Sequence, residues 1–172
     1  MPNLAYLSLG SNINPENNLF HATQLLAQFG KIRSISSVWE TSPVGFLDQP
    51  NFLNAAVLLE TECTAEAIKS IAIQMIEQTL HRIRTENPNA PRTIDVDLAL
   101  FNDEVFILQH SQIPDPDIIT HAFVAIPLAE IAPDYIHPLT GQTLSEIAAG
   151  FDQGRADMIK REDLQLWKLM EN

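Results

Sequence analysis

Residues 93–101, TIDVDLALF, set two carboxylates against four aliphatic side chains. Successive side chains of a strand point to opposite faces, so Asp95 and Asp97 share one face while Ile94, Val96, Leu98 and Leu100 share the other. A strand of this kind needs a core beneath its aliphatic face. Above its acidic face it needs water, a cation or a ligand. A helix would scatter both sets around its circumference. The segment therefore demands a sheet.

The flanking sequence supplies the other strands. Residues 4–10, LAYLSLG, predict a strand that ends in a Gly-Ser-Asn turn, and Leu19, Ala22, Leu26 and Phe29 predict a helix from Pro15 to Phe29. KIRSISSVW, residues 31–39, predicts a strand with one polar face, followed by the loop TSPVGFLDQPN. FLNAAVLLET, residues 52–61, predicts an apolar strand. Thr64 is set to cap a helix running to about Leu80 with Ala67, Ile68, Ile71, Met75 and Ile76 on its apolar stripe.

Prolines and asparagines over 87–91 exclude regular helix. After strand 93–101 come a short extended piece at Glu104–Leu108, a rigid Ile113–Pro116 loop and a short helix. A helix from Phe123 to Ile131 is expected to be interrupted early by Pro127, and another runs from Thr143 to Ala149. The tail from Asp152 is charged, with Trp167, Leu169 and Met170 available to dock on the body. The order β-α-β-β-α-β predicts an α+β, ferredoxin-like core. Its antiparallel sheet carries helices on one face, with further C-terminal helices, and residues 1–172 form a single domain.

Charge narrows the function. Twenty-two acids against 10 bases give a net charge of −12, which excludes a broad nucleic-acid surface. No run of 18 apolar residues is present, so no helix is expected to span a membrane. The N-terminus has no basic leader, and the expected location is cytoplasmic. A lone Cys63 excludes an internal disulfide and a four-cysteine zinc site. Yet three of the 10 bases, Arg82, Arg84 and Arg92, fall just before the acidic strand. Such clustering suits an anionic small-molecule substrate.

Two carboxylates on one strand face suit a hard cation such as magnesium, which keeps waters and accepts phosphate oxygens. Arginine forks bind phosphate bidentately. The alternative is a pair of solvated acids, with the arginines merely neutralising them and Glu77. Glu77 itself, five residues before Arg82, reads as a group that orients the arginine or binds a substrate edge, or more plainly as one end of a surface salt bridge. Phe52 and Asn54 share a strand face, so a flat heterocycle can stack on the ring while the amide reads its edge, with Phe123 as the opposite wall. The plainer alternative keeps both phenylalanines in the core. Neither GxGxxG nor GxxxxGK occurs. His110, His121 and His137 show no metal-ligand spacing with Cys63.

AYLSLGSN at 5–12, TSPVGFLDQPNFLNAAVLLET at 41–61, RIR at 82–84, PRTIDVDLALF at 91–101 and AFVAIPLAEIAPD at 122–134 together resemble the 6-hydroxymethyl-7,8-dihydropterin pyrophosphokinase family. The resemblance covers about residues 4–145. It implies transfer of pyrophosphate from ATP to a pterin alcohol in folate biosynthesis, with ATP as co-substrate. It implies two magnesium ions on Asp95 and Asp97. Arg82 and Arg92 are implied as phosphate contacts, Arg84 as part of a closing loop, and Glu77 as an acid near the nucleotide. The pterin is implied to stack between Phe52 and Phe123, with Asn54 on its polar edge and Thr41, Pro43 and Val44 bordering it.

Three positions depart from the family pattern. Pro88-Asn89-Ala90-Pro91-Arg92 lacks the usual loop tryptophan and one arginine. Asp115 stands where a histidine is common, and His121 on the phosphate side stands where an arginine is common. Two alternatives to transfer from ATP to this pterin follow: a non-catalytic pterin-binding or regulatory protein, or a pyrophosphokinase for another pterin-like alcohol. Protein partners and oligomeric state are unspecified.

Overall fold

The structure, a computed structural model, describes residues 1–151 and 157–171, the side chains of Leu169 and Met170 excepted. Its centre is an antiparallel sheet ordered β5 (Asp95–Phe101), β1 (Asn3–Ser11), β4 (Phe52–Thr61), β3 (Trp39–Thr41) and β8 (Met158–Lys160), with β2 (Lys31–Ile35) also pairing β4. The central strands are β1 and β4, paired from Asn3↔Thr61 to Ser11↔Leu53. Strand β5 lies along the other side of β1, with Asp97 opposite Ser8 and Asp95 opposite Gly10. β2 and β3 pair in turn with β4. The expected 31–39 strand is thus broken at Ser36, whose hydroxyl accepts from the Ala56 backbone, and a separate strand reaches Thr41.

Helix α1 (Pro15–Leu26) ends three residues before Phe29, which closes the following turn. The next helix begins under a Thr64 cap, its hydroxyl accepting from the Ala67 N–H. It comprises α2 (Ala65–Ala67), a π-helical segment Ile68–Ile73 and α3 (Gln74–Thr79). Leu19, Ala22 and Leu26 join Ile68, Ala72 and Ile76 in burying one face of the sheet with Leu7, Leu9 and Val57.

The additional C-terminal helices cover the opposite face. They are α4 (Asp117–Thr120), α5 (Ala122–Ile131) and α6 (Leu144–Ala149). Val124, Ala125, Leu128 and Ile147 pack there on Tyr6, Ala56 and Leu100. Pro127 lies inside α5 without interrupting it. A register shift beside Tyr6 and Leu7 places one extra β5 residue, Ala99, between Leu98 and Leu100. Leu98 therefore stays with the first cluster while Leu100 moves to the second, against the strict alternation expected of the strand.

Beyond β5, the extended piece is half of a hairpin, β6 (Phe106–Leu108) with β7 (Ser111–Ile113). In the tail, β8 (Met158–Lys160) pairs β3. Leu166 is buried and does the docking, whereas Trp167 stays 45% exposed. The docking expected of the Leu169 and Met170 side chains falls outside the described residues. No helix among the described residues is long and apolar enough to cross a membrane.

Candidate active site

Strand register builds the first wall. Thr41 faces Phe52 across the β3–β4 ladder. Gly10 faces Asn54 across β1–β4 and Asp95 across β1–β5. A Cβ at Gly10 would lie 3.1 Å from the Asn54 Oδ1, so glycine lets the amide approach the strand. The Asn54 amide nitrogen donates to the Thr41 hydroxyl at 2.8 Å, and both residues are buried. Phe52, Asn54, Thr41 and Val44 line a cavity of about 230 Å³, closed from α5 by Phe123. Pro43 does not line it; the proline is buried behind, and Ser42 takes the position on the wall.

Two loops meet over this cavity. The Gln49 amide nitrogen donates to the Phe46 and Asn89 carbonyls, and its oxygen accepts from the Asn12 amide. Asn12 in turn accepts from the Arg92 N–H. Gly45 has φ +81°, and a Cβ there would lie 2.4 Å from the Asn89 amide nitrogen. Asn89, in the tryptophan-free loop, thus packs onto a glycine and lines the cavity. Spacing gave no hint of Asn12 or Gln49, because their partners lie in distant segments.

Asp95 and Asp97 both reach the first cavity. Asp95 is held between two arginines, Arg82 at 3.4 Å and Arg92 at 3.2 Å. Arg92 also lies over the Phe52 ring, 5.6 Å from its centroid. Arg82 is different. Its side chain is 8% exposed, donates to the Ile94 carbonyl at 2.6 Å and lines neither of the two cavities at the site. It supports Asp95 from behind and opens into neither cavity.

Asp97 keeps area exposed to the cleft, but the protein packed around it limits how well water solvates its charge. That enclosure, then the charges of Asp95, Asp115, Glu77 and Asp117, push its carboxyl up to about 8. Burial likewise raises Asp115, opposed in part by the Asp117 N–H that donates to it. Asp95 and Glu77 have arginine partners, but among the described residues Asp97 and Asp115 form no ion pair, and a cation beside them would relieve that repulsion. The donor set, all carboxylate oxygen, fits magnesium. Among the described residues no three His, Cys, Asp or Glu side chains are placed to hold a metal. A cation on Asp95 and Asp97 would therefore take its other ligands from water and substrate, as magnesium commonly does.

A second cavity, about 590 Å³, adjoins the first; Asp97 and Asp115 line both. Glu77 and Arg84 line it, joined by a 2.9 Å ion pair. Glu77 is 8% exposed and its partner is the exposed Arg84, not Arg82, so the ion pair runs from a buried carboxylate to the surface. Its other carboxylate oxygen is buried without a hydrogen-bond partner. Lys69, Gln74, Gln109, His110, Ser111 and Gln112 complete the polar lining, and none of them was singled out as a binding residue by spacing. His121 lines the first cavity, its ring 5.0 Å from that of Phe123 and 3.5 Å from the Asp117 carboxylate.

The comparisons agree with one another. Residues 6–133 match the family model described as 7,8-dihydro-6-hydroxymethylpterin-pyrophosphokinase. The chain is 41% identical over 134 residues to 2-amino-4-hydroxy-6-hydroxymethyldihydropteridine pyrophosphokinase of Bacillus subtilis, covering 76% of this chain and 79% of that one. It is 37% identical over 146 residues to the folic acid synthesis protein fol1 of Schizosaccharomyces pombe, covering 83% of this chain but 20% of that longer protein. Among solved structures, the Plasmodium falciparum HPPK-DHPS wild type superposes with a TM-score of 0.69 at 14% identity, over 87% of this chain and 45% of that one. That likeness is one of fold.

Proposed function

The chain belongs to the 7,8-dihydro-6-hydroxymethylpterin-pyrophosphokinase family, and from that premise we propose that its two joined cavities take a pterin alcohol and ATP. The reaction moves pyrophosphate from ATP to the hydroxymethyl group of 6-hydroxymethyl-7,8-dihydropterin and releases AMP, a step of folate biosynthesis. The observation that carries this assignment is the junction itself. Asp97 and Asp115 line both cavities, with Asp95 and Arg92 beside them. Two substrates bound side by side there would meet at the acidic strand.

The pterin ring stacks in the first cavity between Phe52 and Phe123, and Asn54, oriented by Thr41, reads its polar edge. Val44 borders it from the loop. The nucleotide occupies the second cavity, where Arg84 meets phosphate and the free oxygen of Glu77 accepts from a donor on the nucleotide. Arg92 meets the phosphates at the junction; Arg82 keeps Asp95 aligned from behind. His121 adds a side chain near the phosphate end of the first cavity.

Asp95 and Asp97 would hold magnesium, two ions in the full reading, which lowers the pKa of the attacking alcohol and neutralises developing phosphate charge. The residues of the chain supply alignment. The alcohol oxygen is directed at the β-phosphorus, and the loops joined by Gln49 exclude water from the junction. Asp97 and Asp115, raised by burial and by neighbouring acids, favour a neutral or cation-bound state over a bare anion, so nucleotide and cation binding are expected to support each other.

Incubating the protein with ATP, magnesium and the pterin alcohol, followed by phosphorus NMR, tests the assignment. AMP and pterin diphosphate are expected in equal amounts. Pterin binding with no nucleotide binding would instead identify a pterin-binding protein, the reading that Asp115 and His121 motivate. Transfer to a different heterocyclic alcohol only would move the substrate and keep the reaction.

A further inference from the structure

The two aromatic walls of the first cavity stand on elements that no strand ladder joins. Phe52 belongs to β4 and Phe123 to α5, which packs across the sheet. A stacked ring needs a set gap between them, so the height of α5 above the strands decides the fit. Beneath α5, Val124, Ala125 and Leu128 rest on Tyr6 and Ala56. That packing is non-directional and tolerates sliding.

A directional tie exists at the far end of the helix. Glu130 follows Phe123 by seven residues, two turns of α5, so the two share a helix face. One Glu130 carboxylate oxygen accepts from the Ser37 N–H at 2.9 Å, and the other accepts from the Trp39 indole N–H. Ser37 lies in the break between β2 and β3. Trp39 opens β3 directly opposite Asn54 on β4, and Thr41, which orients Asn54, shares its strand face two residues on. The Lys160 ammonium of β8 lies over the Trp39 ring, 5.8 Å from its centroid. The indole is thus held by both α5 and the tail strand. Glu130 itself lines neither cavity.

On the reading of the first cavity as the pterin site, we propose that Glu130 is a positioning residue for the pterin. By gripping Ser37 and Trp39 it fixes the distance between Phe123 and the Phe52–Asn54 face. A hydrogen bond to a carboxylate is shorter and stronger than a neutral one, so two of them set a spacing that apolar contact leaves loose. The second cavity takes no lining residue from β3 or α5. Loss of the tie therefore acts on the pterin and spares the nucleotide.

The test measures binding of 6-hydroxymethyl-7,8-dihydropterin and of α,β-methylene ATP with magnesium by calorimetry, each ligand alone and in the presence of the other. The proteins are the native chain, Glu130→Ala, Glu130→Gln, Trp39→Phe and the Glu130→Ala/Trp39→Phe double variant, with thermal unfolding to check that each is folded. Glu130→Ala is expected to weaken pterin binding about tenfold and to leave the ATP analogue within about twofold. Glu130→Gln keeps one acceptor and is expected to lose less. The loss in the double variant is expected to fall short of the product of the two single losses, because both remove the same contact. Unchanged pterin affinity in Glu130→Ala overturns the proposal, as do equal weakening of both ligands and single losses that multiply fully. Should Glu130→Ala not fold, Glu130→Gln decides by the same comparison of ligands. Should the native protein bind no pterin, the pterin reading of the cavity fails, and hydrogen exchange in ligand-free protein judges the tie. Amides of residues 39–44 and 122–125 are then expected to exchange at least about fivefold faster in Glu130→Gln than in the native chain, with residues 109–112 unchanged. Equal exchange in the two proteins overturns the proposal.

Discussion

The aromatic cavity rests on paired strands, whereas the polar cavity beside it sets an irregular helix, a hairpin and a loop against the edge of β5. In the first, Thr41, Phe52, Asn54 and Gly10 take their places from ladder register. A one-residue slip would turn Phe52 and Asn54 to the other face, and Leu53 between them, buried in the core, forbids it. In the second, Lys69, Glu77, Arg84 and His110 come together only because a π-turn, an ion pair and a strained turn converge. The contrast separates a rigid recognition surface from one whose parts are held by a few polar ties. Asp97, common to both, connects them.

The sharpest way to break that connection is Asp97→Asn. It keeps the shape and removes the charge, so turnover is expected to fall by about a hundredfold or more, equivalent to at least ~2.7 kcal/mol. Pterin affinity is expected to change little. Steady-state rates and pterin titration check both, and near-normal turnover at limiting magnesium would defeat the two-carboxylate assignment.

Phe52→Ala asks whether the cavities work separately. Loss of one stacking wall is expected to raise the pterin KM about tenfold while the nucleotide KM stays within about twofold, since a stacked aromatic contact contributes on the order of 1 kcal/mol beyond its buried area. An equal rise in both constants would mean that the two cavities are one coupled pocket.

Asp97 also predicts a pH dependence of stability in metal-free protein. Its folded-state carboxyl is raised to about 8, above the value of an unfolded aspartate. The folded state then holds the proton more tightly, so stability is greatest below the unfolded value and is lost as pH rises toward 8. Unfolding temperatures in chelator are expected to fall by several degrees from pH 5 to pH 8. Asp97→Asn should flatten the slope, and saturating magnesium should oppose it. A slope identical in native and variant proteins would assign it to other groups.

The smallest effect belongs to the hairpin. His110→Gly removes a Cβ from a left-handed position. The relief of roughly 1–2 kcal/mol exceeds the added unfolded-state freedom of glycine, leaving a gain of about 0.5–1 kcal/mol. The unfolding temperature should rise by roughly 1–4 °C. Nucleotide affinity should weaken at the same time, and an increase in stability without that loss would mean the turn serves no ligand.

What could be read from the chain alone follows this division. The carboxylate pair, the Phe52–Asn54 face and the ferredoxin-like element order were all legible, because each rests on a local period of two or on apolar residues recurring along a helix. The β6–β7 hairpin was not, because Gln109-His110 carries none of the usual turn signals. The break between β2 and β3 was hidden inside one polar-faced segment, where the Ser36 hydroxyl takes over a backbone partner.

Side-chain type also misled where direction mattered. Arg82 and Arg92 are chemically alike, yet Arg82 is turned toward the Ile94 carbonyl while Arg92 opens to the cavity. Pro43 borders the loop in sequence but sits behind the wall. Sequence determined which residues were available and which shared a strand face, since covalent spacing imposes both. Tertiary structure decided which of them meet. Lys69 and Gln49 acquire their roles from partners about 40 residues away, at separations over which no local period operates.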